Sequence, residues 1–318
     1  MTDWYSIAGG LVLLTIGAES LIRGSTALAR QLGVSDLLIG LTLVGFGTST
    51  PELVSSVQAA LIGSPGVAVG NVVGSNIANI LLILGLSAAI APFAVDQRAI
   101  RRDGFVCLVA TIAMIAVSMT GEFTRTAGFS FLAAIAAYIL FAFLSERRQL
   151  NSPLAEQHIA EAAKVQGPKG IVLDLVLAAA GLALLALGAK LLVTGSISIA
   201  ADLGVSETVI GLTVVAVGTS LPELVTSIMA AARGKSALAI GNVVGSNIYN
   251  LFGILGVTAA IHPVAAPAEI IRFDNWVMLG ATLLMLYFAM SKGRVSRSEG
   301  AMLALGYALY ISWLVLKS

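Results

Sequence analysis

Long apolar runs, separated by short polar turns, follow one another along the whole chain. A bilayer core is crossed by roughly 17 to 25 helical residues. On that measure ten helices are predicted, near residues 5–28, 36–61, 66–91, 104–120, 127–145, 171–195, 207–231, 237–261, 275–290 and 299–316. The widest polar interval, from Glu146 to Lys169, falls between the fifth and sixth runs and is punctuated by Asn151-Ser152-Pro153 and Gly167-Pro168. It reads as a linker too short for a regulatory domain, with a small surface helix expected over 154–165. It contains no spaced acidic loop of the calcium-sensor type.

The apolar pattern is broken twice in the same manner. Gly47-Thr48-Ser49-Thr50-Pro51-Glu52 places a proline and a carboxylate inside the second run, and Gly218-Thr219-Ser220-Leu221-Pro222-Glu223 does so inside the seventh, 171 residues later. At the same offset, the eight residues from Gly70 to Ile77 recur unchanged from Gly241 to Ile248. The chain therefore reads as two copies of one unit: residues 1–147 as a first five-helix repeat, 148–169 as a cytoplasmic linker, and 170–318 as a second. Five is odd, so the second copy must enter the membrane from the opposite side, giving inverted repeats. With the N-terminus outside, 14 of the 18 Lys and Arg residues fall in cytoplasmic segments; only Arg125, Arg272 and Lys317 are external, and Lys190 lies within a span. The positive-inside bias thus puts both termini outside.

Composition agrees. Hydrophobic residues make up 58% of the 318, charged ones 11%, and the mean hydropathy is +0.95. The expected class is an all-α polytopic membrane protein whose broken helices form a site at the bilayer midplane. The first residues lack a basic start, so no cleavable signal peptide is expected. Cys107 is the single cysteine, read as a small apolar residue against lipid or a neighbouring helix. Net charge is +1, and no basic cluster interleaved with aromatics suggests nucleic acid. The two histidines, His158 and His262, assemble neither a His-based metal site nor a serine nucleophile, so no enzyme is expected.

A carboxylate at the midplane costs about 2.5 to 3.5 kcal/mol on insertion scales. The second, third, seventh and eighth runs hold no central Lys or Arg to offset Glu52 and Glu223, so a bound cation is the expected partner. Pro51 has no N–H, which strands the carbonyl of Gly47 and loosens that of Thr48. Thr48 and Ser49 lie four and three residues before Glu52 on one helical face, as Thr219 and Ser220 do before Glu223. Ser75 and Asn79, with Ser246 and Asn250, add neutral oxygens or else serve close helix packing. Such a set suits calcium or sodium rather than metals that want Cys or His. Packing alone accounts for Gly70, Gly74, Gly241 and Gly245.

The paired Gly-Thr-Ser-x-Pro-Glu and Gly-Asn-Val-Val-Gly-Ser-Asn-Ile blocks resemble the two alpha-repeats of the cation/calcium exchanger superfamily, in its sodium/calcium antiporter branch. The resemblance covers nearly the whole chain. It implies that Glu52 and Glu223 are shared calcium and sodium ligands, with the carbonyls of Thr48 and Thr219 beside them. It makes Ser49, Ser220, Ser75 and Ser246 sodium ligands together with the carbonyls of Gly45 and Ala216, and places Asn79 and Asn250 around the central cavity. Spans one and six correspond to the family's two long helices that slide to alternate access.

One position departs. Potassium-dependent relatives carry Asp where this chain has Asn250, which leaves two fixed charges at the site and implies potassium independence. Proton-coupled relatives usually carry Asn at Thr48 or Thr219, which favours sodium over the alternative, a proton/calcium exchanger. The implied activity is secondary antiport of sodium for calcium, the ions competing for one site, with no cofactor and with the bilayer as the only other partner evident. A prokaryotic plasma (inner) membrane is the expected location. Glu19 and Lys190, at equivalent positions in spans one and six, are read either as a pair across those helices or as solvated ends.

Overall fold

In hydrocarbon no water satisfies a backbone N–H or C=O, so a chain of this composition closes its hydrogen bonds locally, as helix. The structure is a computed structural model and describes residues 2–32, 34–150, 171–202, 216–291 and 293–317. Seven helices among the described residues are long and apolar enough to cross a membrane: Trp4–Gln31, Pro65–Ile90, Arg125–Ser145, Ile171–Leu191, Ser236–Ile261, Ile270–Ser291 and Arg297–Leu316. The pair Leu37–Thr48 and Thr50–Leu61, bent by 45°, meets the same criterion of length and apolar character when taken together.

The first half opens with α1 (Thr2–Leu32). Next come α2 (Asp36–Ile39), a wider π-helical turn (Gly40–Val44), α3 (Gly45–Thr48) and α4 (Thr50–Leu61). Helix α5 (Pro65–Ala78) continues through a second π-turn (Asn79–Leu84) into α6 (Gly85–Ile90), and α7 (Gln97–Ser118) and α8 (Arg125–Leu150) complete the half. The described elements of the second half are α9 (Ile171–Asp202), α10 (Ala216–Thr219), α11 (Leu221–Ala232), α12 (Ser236–Ile248), a π-turn (Tyr249–Ile254), α13 (Leu255–Ile261), a further π-turn (Ile270–Asp274), α14 (Asn275–Ser291) and α15 (Arg297–Lys317).

Two expectations change in detail. Helix α7 is formed but starts with Arg98, Arg101, Arg102 and Asp103, which keeps it from passing as a wholly apolar span. Helix α8 runs to Leu150, past the end expected near 145 and into the linker. The expected helix over 154–165, and the first part of the seventh span, lie outside the described residues. Among the described residues the architecture is helical except for two minimal antiparallel ladders that the sequence did not announce. Strand β1 (Phe93–Ala94) pairs with β4 (Arg294–Val295), and β2 (Glu122–Phe123) with β3 (Val264–Ala265). Each ties a loop of one half to a loop of the other.

The same exchange governs helix packing. A Cβ on Gly85 would meet Gly300 and Ala304, and one on Gly128 would meet Gly256 and Ala260. The last helix of each half therefore lies antiparallel against the third span of the other. Helices α1 and α9 are also antiparallel: Gly17 faces Gly181 and Leu185, Gly24 faces Asp174 and Ala178, and Gly188 faces Gly10 and Leu14. Small residues let these backbones touch, which is how helices associate where lipid removes the hydrophobic drive. Large apolar side chains such as Leu11, Ile16, Val172, Val176 and Leu187 remain exposed on this outer pair, where lipid covers them.

Behind the α1–α9 pair, α4, α5, α11 and α12 form the core. Helices α4 and α11 both end in a left-handed glycine, Gly63 (φ 76°) and Gly234 (φ 71°). In each, the next residue donates back to a helical carbonyl, Ser64 to Ala59 at 2.8 Å and Lys235 to Ala230 at 2.8 Å. This closure lets the chain reverse directly into α5 and α12.

Candidate cation site

The two breaks are alike. Ser49 (φ −83°, ψ 9°) separates α3 from α4, and Ser220 (φ −90°, ψ 8°) separates α10 from α11. Pro51 and Pro222 occupy the opening turns of α4 and α11, where a missing N–H is tolerated. One residue further on stand Glu52 and Glu223, which are 1% and 2% exposed.

The halves then meet reciprocally. Ser49 donates to Glu223 Oε1 at 2.8 Å, and Ser220 donates to Glu52 Oε1 at 3.1 Å. Ser220 also lies 3.4 Å from Ser75 Oγ, which brings α5 into the same cluster. Ser246 donates to the carbonyl of Gly45 at 3.3 Å. Thr48 Oγ1 sits 2.9 Å from the Val44 carbonyl and 3.4 Å from that of Gly45. Three buried hydrogen-bonded sets result at the two breaks: Ser49 with Glu223, Ser220 with Glu52 and Ser75, and Thr48 and Ser246 with the Gly45 carbonyl. Thr219 lies in α10, immediately before the break, and the backbone of Ala216 begins that helix.

Asn79 and Asn250 each stand at a π-turn, where the wider coil carries the side chain inward. Asn79 donates to Asn247 Oδ1 at 3.0 Å. Asn250 is 1% exposed, and neither end of its amide has a protein partner. The second oxygens of Glu52 and Glu223 and the Oδ1 atoms of Asn76 and Asn79 are likewise buried and without a protein donor. Buried polar groups of this kind cost free energy unless something binds them. Among the described residues no Lys or Arg forms an ion pair with either glutamate. Nor does any cluster of three or more His, Cys, Asp or Glu occur among them. What remains is a pair of carboxylates ringed by neutral oxygens, the donor chemistry of a hard cation.

Four asparagines in the recurring block escaped the sequence reading. Asn71 donates to the Glu52 carbonyl at 3.0 Å and to Ser56 Oγ at 2.9 Å. Asn242 donates to the Glu223 carbonyl at 3.4 Å and to Ser227 Oγ at 2.9 Å. Asn76 and Asn247 are fully buried beside Asn79 and Asn250. Their signal was present, since each recurs at the 171-residue offset. Gly241 acts as a packing residue, because a Cβ there would lie 2.5 Å from the Leu37 carbonyl; Gly245 meets Leu41 in the same way. Gly74 has no neighbour within 4 Å among the described residues.

Two minor readings are narrowed. Glu19 pairs not with Lys190 but with Arg23 on its own helix and Arg233 at the end of α11, while Lys190 is exposed. The antiparallel register opposes Gly188 to Gly10 and Leu14, which carries position 190 away from 19. Cys107 is fully buried, which matches the neighbouring-helix alternative of the two read for it.

A many-helix membrane protein with two opposed, cross-bonded carboxylates at helix breaks defines a class, that of intramembrane cation carriers. The chain belongs to the sodium/calcium exchanger protein family, which it matches over residues 2–144 and 173–316. Members of this family are transporters, not enzymes. The putative antiporter CaxA of Alkalimonas amylolytica is 37% identical over 305 residues, spanning 95% of both chains. The sodium/calcium exchanger MaX1 of Methanosarcina acetivorans is 33% identical, also over 95% of each chain. A solved structure of the sodium-calcium exchanger NCX_Mj soaked with Na+ and Sr2+ superposes with a TM-score of 0.84 at 32% identity, over 98% of both chains. A second, soaked without Na+ and Ca2+, gives 0.85.

Proposed function

We propose that this protein is a secondary active antiporter that exchanges sodium for calcium across a membrane by alternating access, the two ions competing for one site around Glu52 and Glu223. The observation that carries the proposal is the reciprocal pair of bonds, Ser49 to Glu223 and Ser220 to Glu52, each leaving one buried carboxylate oxygen open. A site of two negative charges in low dielectric is neutralised by one calcium or by sodium ions, and not by both at once. Empty, it carries uncompensated charge and resists crossing over; loaded, it switches. The flux of one ion is thereby tied to that of the other.

In this reading Glu52, Glu223 and the carbonyls of Thr48 and Thr219 take either ion. Ser49, Ser75, Ser220, Ser246 and the carbonyls of Gly45 and Ala216 favour sodium, while Asn79 and Asn250 complete the cavity. Residues 1–147 and 170–318 are two inverted five-helix halves, ten spans in all, joined by a cytoplasmic linker, with both termini outside. The interchange of helices and strands between halves supports this arrangement. Asn250 supports potassium independence, and bacterial and archaeal relatives support a prokaryotic plasma membrane.

Purified protein in sodium-loaded vesicles is expected to take up calcium when the external medium lacks sodium, with or without potassium. Glu52→Gln and Glu223→Gln are expected to abolish that uptake. Uptake driven by a proton gradient but not by sodium would replace this reading with proton/calcium exchange, and substantial uptake in either Gln variant would overturn the assignment of the glutamates.

A further inference from the structure

Asn242 is 0% exposed and sits where three parts of the core converge. Its Nδ2 reaches the Glu223 carbonyl (3.4 Å) and Ser227 Oγ (2.9 Å), both on α11. Its Oδ1 lies 3.3 Å from Thr48 Oγ1, which belongs to the broken helix of the other half. The neighbouring residue, Gly241, packs without a side chain against the Leu37 carbonyl of that same segment, so α12 lies backbone to backbone against it. Asn71 makes the equivalent pair of bonds in the first half, to the Glu52 carbonyl (3.0 Å) and Ser56 Oγ (2.9 Å).

Neither asparagine turns its amide toward the open carboxylate oxygens; both hold the first turn of a glutamate helix. That turn fixes where the carboxylate stands. Thr48 adds a second constraint, because one hydroxyl proton faces three acceptors: the carbonyls of Val44 and Gly45, and Asn242 Oδ1. When the hydroxyl turns to Asn242 it leaves the Gly45 carbonyl to other partners. A cation site depends on its ligands being held to a fraction of an ångström, and loss of the groups that orient ligands costs about 10- to 100-fold in metal affinity.

We propose that Asn242, with Asn71 as its counterpart, is a positioning residue for the cation site: it locks the Glu223 turn of α11 to α12 and to Thr48 of the opposite half, and so sets how tightly the site holds its ions. This rests on the reading of Glu52 and Glu223 as cation ligands.

The test is calcium binding by the purified full-length protein, measured calorimetrically with calcium chloride and by the calcium-induced rise in melting temperature. Asn242→Ala is expected to bind calcium about 10- to 100-fold more weakly, alongside a lowered ion-free melting temperature from its lost buried bonds. Ser227→Ala and Thr48→Val each remove one partner and are expected to give smaller losses. Thr48→Val added to Asn242→Ala is expected to cost less than its single effect, since the two side chains share one link. An affinity for calcium within twofold of wild type in Asn242→Ala, with a lowered melting temperature, would make Asn242 an interhelical bond and nothing more. Should that variant not fold, unchanged affinity in both Ser227→Ala and Thr48→Val overturns the proposal equally. Binding separates the two readings. Wild-type protein that binds calcium but does not exchange it for sodium contradicts the proposed function alone, whereas wild type that binds no calcium contradicts both.

Discussion

Replacing Gly181 with alanine tests whether α1 and α9 really meet backbone to backbone. A Cβ at 181 would stand 2.6 Å from Leu21 N and 2.8 Å from the Gly17 carbonyl, whereas ordinary van der Waals contact begins at 3.4 Å. The helices would have to separate by the difference, 0.8 Å, at a point where backbone rather than a flexible side chain must yield. A gap of about 0.5 to 1 Å forfeits a quarter to a half of each dispersion contact along the seam, and overpacking of this kind costs about 1–3 kcal/mol. The control is Gly280→Ala in α14, where nothing lies within 4 Å. Both substitutions gain the same helix propensity of about 1 kcal/mol, so their difference isolates the steric term. Thermal unfolding of the detergent-purified variants is expected to place Gly181→Ala several degrees below Gly280→Ala, with slowed exchange once reconstituted. Equal melting temperatures and equal exchange rates would refute a close-packed seam.

Further outcomes follow from individual contacts. Tyr138→Phe removes the hydroxyl that donates to Asp103 at 3.1 Å; Arg102 still holds both carboxylate oxygens, so the loss in a melting assay is expected near the low end of the range for bonds to charged groups, about 1.5 kcal/mol. Ser49→Ala and Ser220→Ala each remove a donor to the opposite glutamate. Sodium half-saturation is expected to worsen by roughly tenfold, the equivalent of about 1.4 kcal/mol, and more than calcium half-saturation does. Glu19→Gln breaks ion pairs whose arginines are largely exposed, so a change of at most about 1 kcal/mol, shrinking further at high salt, is expected in the melting midpoint.

Much of this was legible in one dimension because the bilayer imposes a length on every crossing and a penalty on every buried charge. Apolar run length located α1, α5–α6, α8, α9 and α12–α15, and the two interruptions marked Glu52 and Glu223. Other features had no local signature. A strand of two residues, such as Phe93–Ala94, is too short to carry a period, and it exists only because residues 294–295 lie beside it. The partners of Glu19 were not legible because repeat equivalence pairs positions by sequence, whereas packing brings the end of α11 alongside α1. Asn71 and Asn242 were overlooked because an asparagine inside a glycine-rich helix looks like any packing residue until its amide is seen on a glutamate's carbonyl.

Sequence by itself therefore determined what each half contains: helices of bilayer length, one proline-broken helix, and one acidic side chain with no basic neighbour to compensate it. Those are properties of local composition, and hydrocarbon solvation reads them segment by segment. Only the tertiary structure decided that the serine of each half binds the glutamate of the other, and that the closing helix of each half packs against its counterpart's third span. Such pairings join residues from about 130 to 215 positions apart, and the helix contacts arise from the close approach that glycine permits between backbones, which no linear pattern encodes.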